Sequence, residues 1–160
     1  MKRRTLVVFL ILILLFIWGN SCIPKDASAD ESGFITGIIE KVFSVLLGRD
    51  ITVNPVIIRK LAHVTEHFLL TLDLFAIAKY DMKRKDAPKF KKTSTLGSLR
   101  ALALSRKNIK TTRLLVCLQA FLVAFTDETI QILSGRGPQI QDVWIDSIGI
   151  AVGVILSLFL

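Results

Sequence analysis

The stretch Asp127 to Gly153, DETIQILSGRGPQIQDVWIDSIGIAVG, decides how the rest of the chain is read. It carries Asp127, Glu128 and Gln131, a Gly135-Arg136-Gly137-Pro138 turn, Asp142 and Asp146, and then Gly149 and Gly153. Apolar runs flank it, Leu114 to Phe125 before and Ile148 to Leu160 after. Four carboxylates and an arginine thus sit in or beside a membrane helical hairpin. A charged side chain in hydrocarbon costs roughly 2.5–3.5 kcal/mol on insertion scales, so such groups face a protein interior or a watery cavity. The stretch is therefore both a topology signal and the first place to look for a site.

Working outward, the chain has 160 residues, 52% of them apolar, and a mean hydropathy of +0.57. The distribution matters more than the total, because soluble domains also approach half apolar. Leu6 to Trp18 and Leu114 to Thr126 contain no charge, which marks membrane spans. The expected architecture is all-α, an integral membrane four-helix bundle in a single domain of residues 1–160, with spans at about 5–23, 56–78, 114–133 and 141–160. Within the last span Asp142, Asp146, Gly149 and Gly153 share one helix face, and the GxxxG pair lets a neighbouring backbone approach closely.

The net charge of +8 does not indicate nucleic acid. Of 21 Lys and Arg, three lie in residues 2–4 and twelve in residues 79–113, at the flanks of apolar segments. The positive-inside rule makes these the cytoplasmic faces, which places both chain ends in the cytoplasm. Residues 79–113 read as a basic cytoplasmic loop, with Leu99 to Leu104 forming a short surface helix. Cys22 and Cys117 fall in different environments and imply no disulfide.

The first apolar run is only 13 residues, so a cleaved signal peptide is an alternative to an anchoring span that continues through Ile23. Pro24 to Ser32 reads as a polar linker. Residues 33–48 then place Phe34, Ile35, Ile38, Ile39, Val42, Phe43, Val45 and Leu46 on one half of a helical wheel, which predicts an amphipathic helix on the outer side.

In the second span Arg59, His63 and Glu66 share a face, continued by Asp73. At about 1.5 Å per residue, His63 and Glu66, Asp127, Glu128 and Gln131, and Asp142 and Asp146 fall at nearly one level in the outer half of the membrane. That agreement predicts one clustered polar site.

The motifs Arg59-Lys60-Leu61-Ala62-His63-Val64-Thr65-Glu66, Asp127-Glu128-Thr129-Ile130-Gln131, Gly135-Arg136 and Asp142-Val143-Trp144-Ile145-Asp146-Ser147-Ile148-Gly149 resemble the VanZ-like family. His67 departs from the pattern, which more often has tyrosine there, and Ile130 stands where relatives often carry histidine. The resemblance implies a small multi-pass bacterial membrane protein linked to low-level teicoplanin resistance, and it implies no established reaction.

Several chemistries fit the residues. Arg59 and Arg136 would hold the phosphate or carboxylate of a lipid-linked envelope precursor or a glycopeptide, since guanidinium grips both. Gln131, Asp142 and Asp146 complete that binding set, while His63, Glu66, Asp127 and Glu128 are candidate acid–base groups. A zinc hydrolase is the alternative: His63-Val64-Thr65-Glu66-His67 matches H-x-x-E-H, and Asp127, Glu128, Asp142 or Asp146 would complete the ligands of His63 and His67. Zinc belongs to that reading alone, and the cofactor is otherwise open. A third reading is a non-catalytic scaffold, with Arg59 paired to Glu66, Arg136 to Asp142 or Asp146, and His63 bonded to Glu128. A transporter fits less well, because four spans are few and no broken-helix repeat occurs.

Overall fold

The computed structural model of the chain describes residues 2–86, 95–135 and 140–159. Its elements are α1 (Arg3–Cys22), α2 (Lys25–Leu47), α3 (Pro55–Asp86), α4 (Thr95–Leu133) and α5 (Ile140–Ser157), with no strand among the described residues. Three helical segments are long and apolar enough to cross a membrane: Arg3–Cys22, Pro55–Met82 and Ile109–Leu133. Their apolar side chains point mostly outward. Leu15, Phe16, Leu114, Leu122 and Phe125 are each more than half exposed, a surface that water would not tolerate in a monomer and that hydrocarbon solvates.

Local chemistry sets the helix boundaries. Pro24 separates α1 from α2, because its ring forces Ile23 into an extended conformation. The predicted linker at Pro24 to Ser32 is instead mostly the first part of α2, which starts at Lys25 and is longer than the expected amphipathic segment. Serine back-bonding supports this stretch: the Ser32 hydroxyl donates to the Ser28 carbonyl at 2.8 Å, and that of Thr36 donates to the Ser32 carbonyl at 2.7 Å. Gly48 ends α2 with φ of 64°, the left-handed conformation that a glycine adopts without steric cost. The connection is then tied back by the amides of Ile51 and Val53, which donate to the Ser44 hydroxyl and to Glu40 Oε1 at 3.1 and 2.7 Å. Pro55 opens α3, where a missing N–H costs nothing, and Asn54 Oδ1 accepts the Val56 amide at 2.9 Å.

The predicted loop at residues 79–113 is shorter than expected. α3 runs on to Asp86 and α4 begins at Thr95, so Leu99 to Leu104 lie inside a long helix. Lys, Arg and Asp are compatible with a helix that emerges into water, so charge ends a span without ending the helix.

α1 runs antiparallel to α3. At one end Arg3 grips Asp81 with two hydrogen bonds, Nε to Oδ1 at 2.8 Å and Nη2 to Oδ2 at 3.2 Å. At the other, Asn20 Nδ2 donates to Glu66 Oε1 at 3.1 Å. The fifteen residues from Glu66 to Asp81 span about 22 Å of helix, most of a bilayer core. Between them lies an apolar core of Ile17, Leu70, Ala120, Ala124 and Ile150.

α5 lies along α3, its most extensive partner. A Cβ on Gly149 would run into the Val64 carbonyl oxygen, and one on Gly153 would sit 2.8 Å from Thr71 Cβ. The GxxxG pair therefore brings the two backbones together, as the spacing predicts.

Candidate polar site between the helices

Gly149 fixes the position of Asp146, which lies one turn before it on α5. With Gly149 pressed against the backbone of Val64 and Phe68, Asp146 is carried to the turn of α3 that holds His63 and His67. Asp146 Oδ1 lies 3.4 Å from His63 Nδ1 and 3.3 Å from His67 Nδ1. Both contacts exceed the usual 2.7–2.9 Å of a charge-assisted hydrogen bond. Asp146 and His67 are fully buried. Neither carboxylate oxygen of Asp146 has a hydrogen-bond partner, and neither does His67 Nε2. His67 Nδ1 also lies 3.2 Å from the His63 carbonyl oxygen.

α4 supplies the next group. Asp127 is fully buried and accepts a hydrogen bond from the Ser21 hydroxyl and one from Gln131 Nε2 at 3.0 Å. His63 Nδ1 is 3.7 Å from Asp127 Oδ2. The Ser134 hydroxyl donates to the carbonyls of Ser21 and Gln131 at 2.8 and 2.9 Å, pinning the end of α1 to the end of α4. Glu128 and Asp142 are buried too, each with one carboxylate oxygen that lacks a partner.

Most of the sequence-predicted residues therefore meet at one end of the bundle, opposite the Arg3–Asp81 pair. Their pairing differs from the expectation in two respects. Arg59 forms no ion pair with Glu66, whose partner is Asn20 on α1. His63 sits beside Asp146 and Asp127 rather than bonding Glu128. Arg136 lies outside the described residues. Asn20 and Ser21, at the polar end of the first apolar run, join the cluster with no motif to mark them. The available signal was their depth: they close a span that starts on the opposite side, which puts them level with Glu66 and Asp127.

Two trios of side chains bring their ligand atoms within 4.8 Å of one another, His63, His67 and Asp146, and Asp127, Glu128 and Asp146. Either is chemically able to hold a cation. On the other side of His63 and Glu66, α1, α2 and α3 border a half-open cavity of about 870 Å³. Phe9, Leu12, Phe16, Ile35 and Leu69 are among its apolar walls, and Asn20, Arg59, His63 and Glu66 are among its polar lining.

The profile of the VanZ/LLP1 family matches residues 6–160. The chain belongs to this family. No curated protein and no solved structure matches it. The match covers α2 to α5 whole and α1 from Leu6 on, so the polar cluster and the cavity both fall within the VanZ-like region.

Proposed function

We propose that this VanZ-like chain is a multi-pass protein of the bacterial cytoplasmic membrane that acts in the cell envelope and contributes to glycopeptide resistance, teicoplanin included. In this reading α1, α3, α4 and α5 are four spans with both chain ends in the cytoplasm, and α2 rests on the outer leaflet. The 18 residues of α5 measure about 27 Å, near the thickness of the hydrocarbon core. Residues 79–113 carry twelve Lys and Arg, of which Lys79 and Arg113 lie near Met82 at the Arg3–Asp81 end, and the positive-inside rule turns that end to the cytoplasm. The polar cluster then faces the extracytoplasmic side.

The cluster engages the anionic head of a lipid-linked envelope precursor, with Arg59 as its grip. His63, Glu66, Asp127 and Glu128 form the acid–base group, and Gln131, Arg136, Asp142 and Asp146 hold the remaining polar substituents. The observation that carries the reading is the cavity between α1, α2 and α3. Its volume falls in the range of small-molecule sites, its walls suit a hydrocarbon tail, and its lining includes Arg59 beside His63 and Glu66. Among the described residues no carboxylate pairs with Arg59, so its guanidinium is available to a phosphate.

The test compares teicoplanin susceptibility of a sensitive host expressing the wild type, Arg59→Gln or Glu128→Gln at membrane levels matched by blot. The wild type should raise the inhibitory concentration and both variants should return it toward the host value. Equal protection by Glu128→Gln would sink the acid–base assignment, and no protection by the wild type would remove the resistance role. Mass spectrometry of lipids that copurify with the wild type and with Arg59→Gln reports the precursor directly.

A further inference from the structure

We infer that His63, His67 and Asp146 bind a divalent first-row transition-metal cation between α3 and α5. The distances support this. Zinc holds imidazole nitrogen and carboxylate oxygen at about 2.0–2.1 Å, so neighbouring ligand atoms of a tetrahedral shell lie about 3.3–3.4 Å apart. The two histidine-to-Asp146 separations are 3.4 and 3.3 Å. That is the edge of a metal tetrahedron and longer than a charge-assisted hydrogen bond.

The donor set is buried, and apart from the His63 carbonyl oxygen near His67 Nδ1 and Asp127 near His63 Nδ1 its atoms face one another. Asp146 is fully buried, its Oδ1 faces both imidazoles, and both of its oxygens lack a hydrogen bond. Glu128 and Asp127 share Asp146 as a neighbour, and Glu128 Oε1 is likewise buried without a partner. Among the described residues no Lys or Arg forms an ion pair with Glu66, Asp127, Glu128, Asp142 or Asp146. So many carboxylates in a low-dielectric interior are neutralised by protons or by positive charge, and a divalent cation beside Asp146 is one source of that charge. Imidazole with carboxylate selects ions such as zinc, iron or manganese over calcium and magnesium.

Of the third ligands that the H-x-x-E-H pattern leaves open, the structure brings Asp146 of α5 to both imidazoles, and Glu66 between the histidines turns to Asn20. The metal-free rival has His67 Nδ1 protonated and donating to the His63 carbonyl oxygen 3.2 Å away. The inference needs neither the lipid nor the antibiotic, so its failure leaves the envelope reading standing, while its success takes His63 and Asp146 out of the acid–base and substituent-holding roles given above.

The experiment uses the full chain purified in detergent, stripped with a chelator, dialysed against Zn²⁺ and desalted. Metal is then measured by inductively coupled plasma mass spectrometry. The wild type should retain about one ion per chain, and Asp146→Asn and His67→Gln should lose it. Glu66→Gln should retain it. Gel filtration and circular dichroism check that the variants are folded. Co²⁺ loading of the wild type gives a readout independent of any variant, since a four-coordinate shell produces intense visible d–d bands. A wild type that holds no Zn²⁺ and shows no such bands would overturn the site, as would a folded Asp146→Asn that retains the ion.

Discussion

The two sides of α3 have opposite characters. Toward α5 the contact is so close that no side chain fits between the backbones, and Gly149 and Gly153 exist for that approach. Toward α1 and α2 the helix borders a cavity of about 870 Å³. His63 stands at the boundary, reaching Asp146 on the tight side and lining the cavity on the open side. The difference separates two tasks. The tight side fixes the polar groups relative to one another, and the open side leaves room for a molecule to reach them.

The largest expected effect comes from breaking the tight side. Gly149→Leu forces α5 away from the Val64 carbonyl and should cost about 3 kcal/mol or more, at the upper end of overpacking penalties. Reversible unfolding in mixed detergent micelles measures it. A loss below about 1 kcal/mol would mean that the helices are not held this close. Gly153→Ala meets the Thr71 side chain at 2.8 Å in place of a backbone carbonyl, so the same assay should show a smaller loss.

Next in size is the seam that joins α1 to α4. Ser21→Ala removes the hydroxyl that donates to buried Asp127 and should cost about 0.6–1.7 kcal/mol, the range for hydrogen bonds between membrane helices. Paired measurement with Asp127→Asn gives the coupling directly. A coupling near zero would show that Ser21 and Asp127 are neighbours without being partners.

The smallest effect on stability is expected on the open side. Ala62→Phe projects a ring into the cavity from a position away from α5 and should alter unfolding by no more than about 0.5 kcal/mol, as surface changes do. It should nevertheless abolish protection against teicoplanin at matched expression. Full protection by Ala62→Phe would show that the cavity is not the route to the polar cluster.

Much of this organisation is legible in the chain. Charge-free runs mark two of the three long apolar helices, and the spacing of Asp142, Asp146, Gly149 and Gly153 assigns them one face. Counting rise per residue also places His63, Glu66, Asp127 and Asp146 at one level, where the structure brings them together. The helical lengths were less legible. Ser32 and Thr36 read as linker or polar face, yet their hydroxyls donate to the Ser28 and Ser32 carbonyls within α2. Lys83 to Asp86 read as loop because charge ends a span, while helix propensity continues past it.

What the sequence determined by itself is the membrane setting, the family, and which polar residues share a helix face and a depth. These follow from composition and from the 3.6-residue period, which act within one helix. The tertiary structure alone decided the partners: that Asp146 stands between His63 and His67, that Asn20 takes Glu66 and Ser21 takes Asp127, and that Arg59 lines a cavity. The physical reason is that helical spacing leaves the rotation and neighbours of each helix free. Close packing at Gly149 and Gly153 fixes α5 against α3, and the hydrogen bonds of Asn20 and Ser21 fix α1 against α3 and α4.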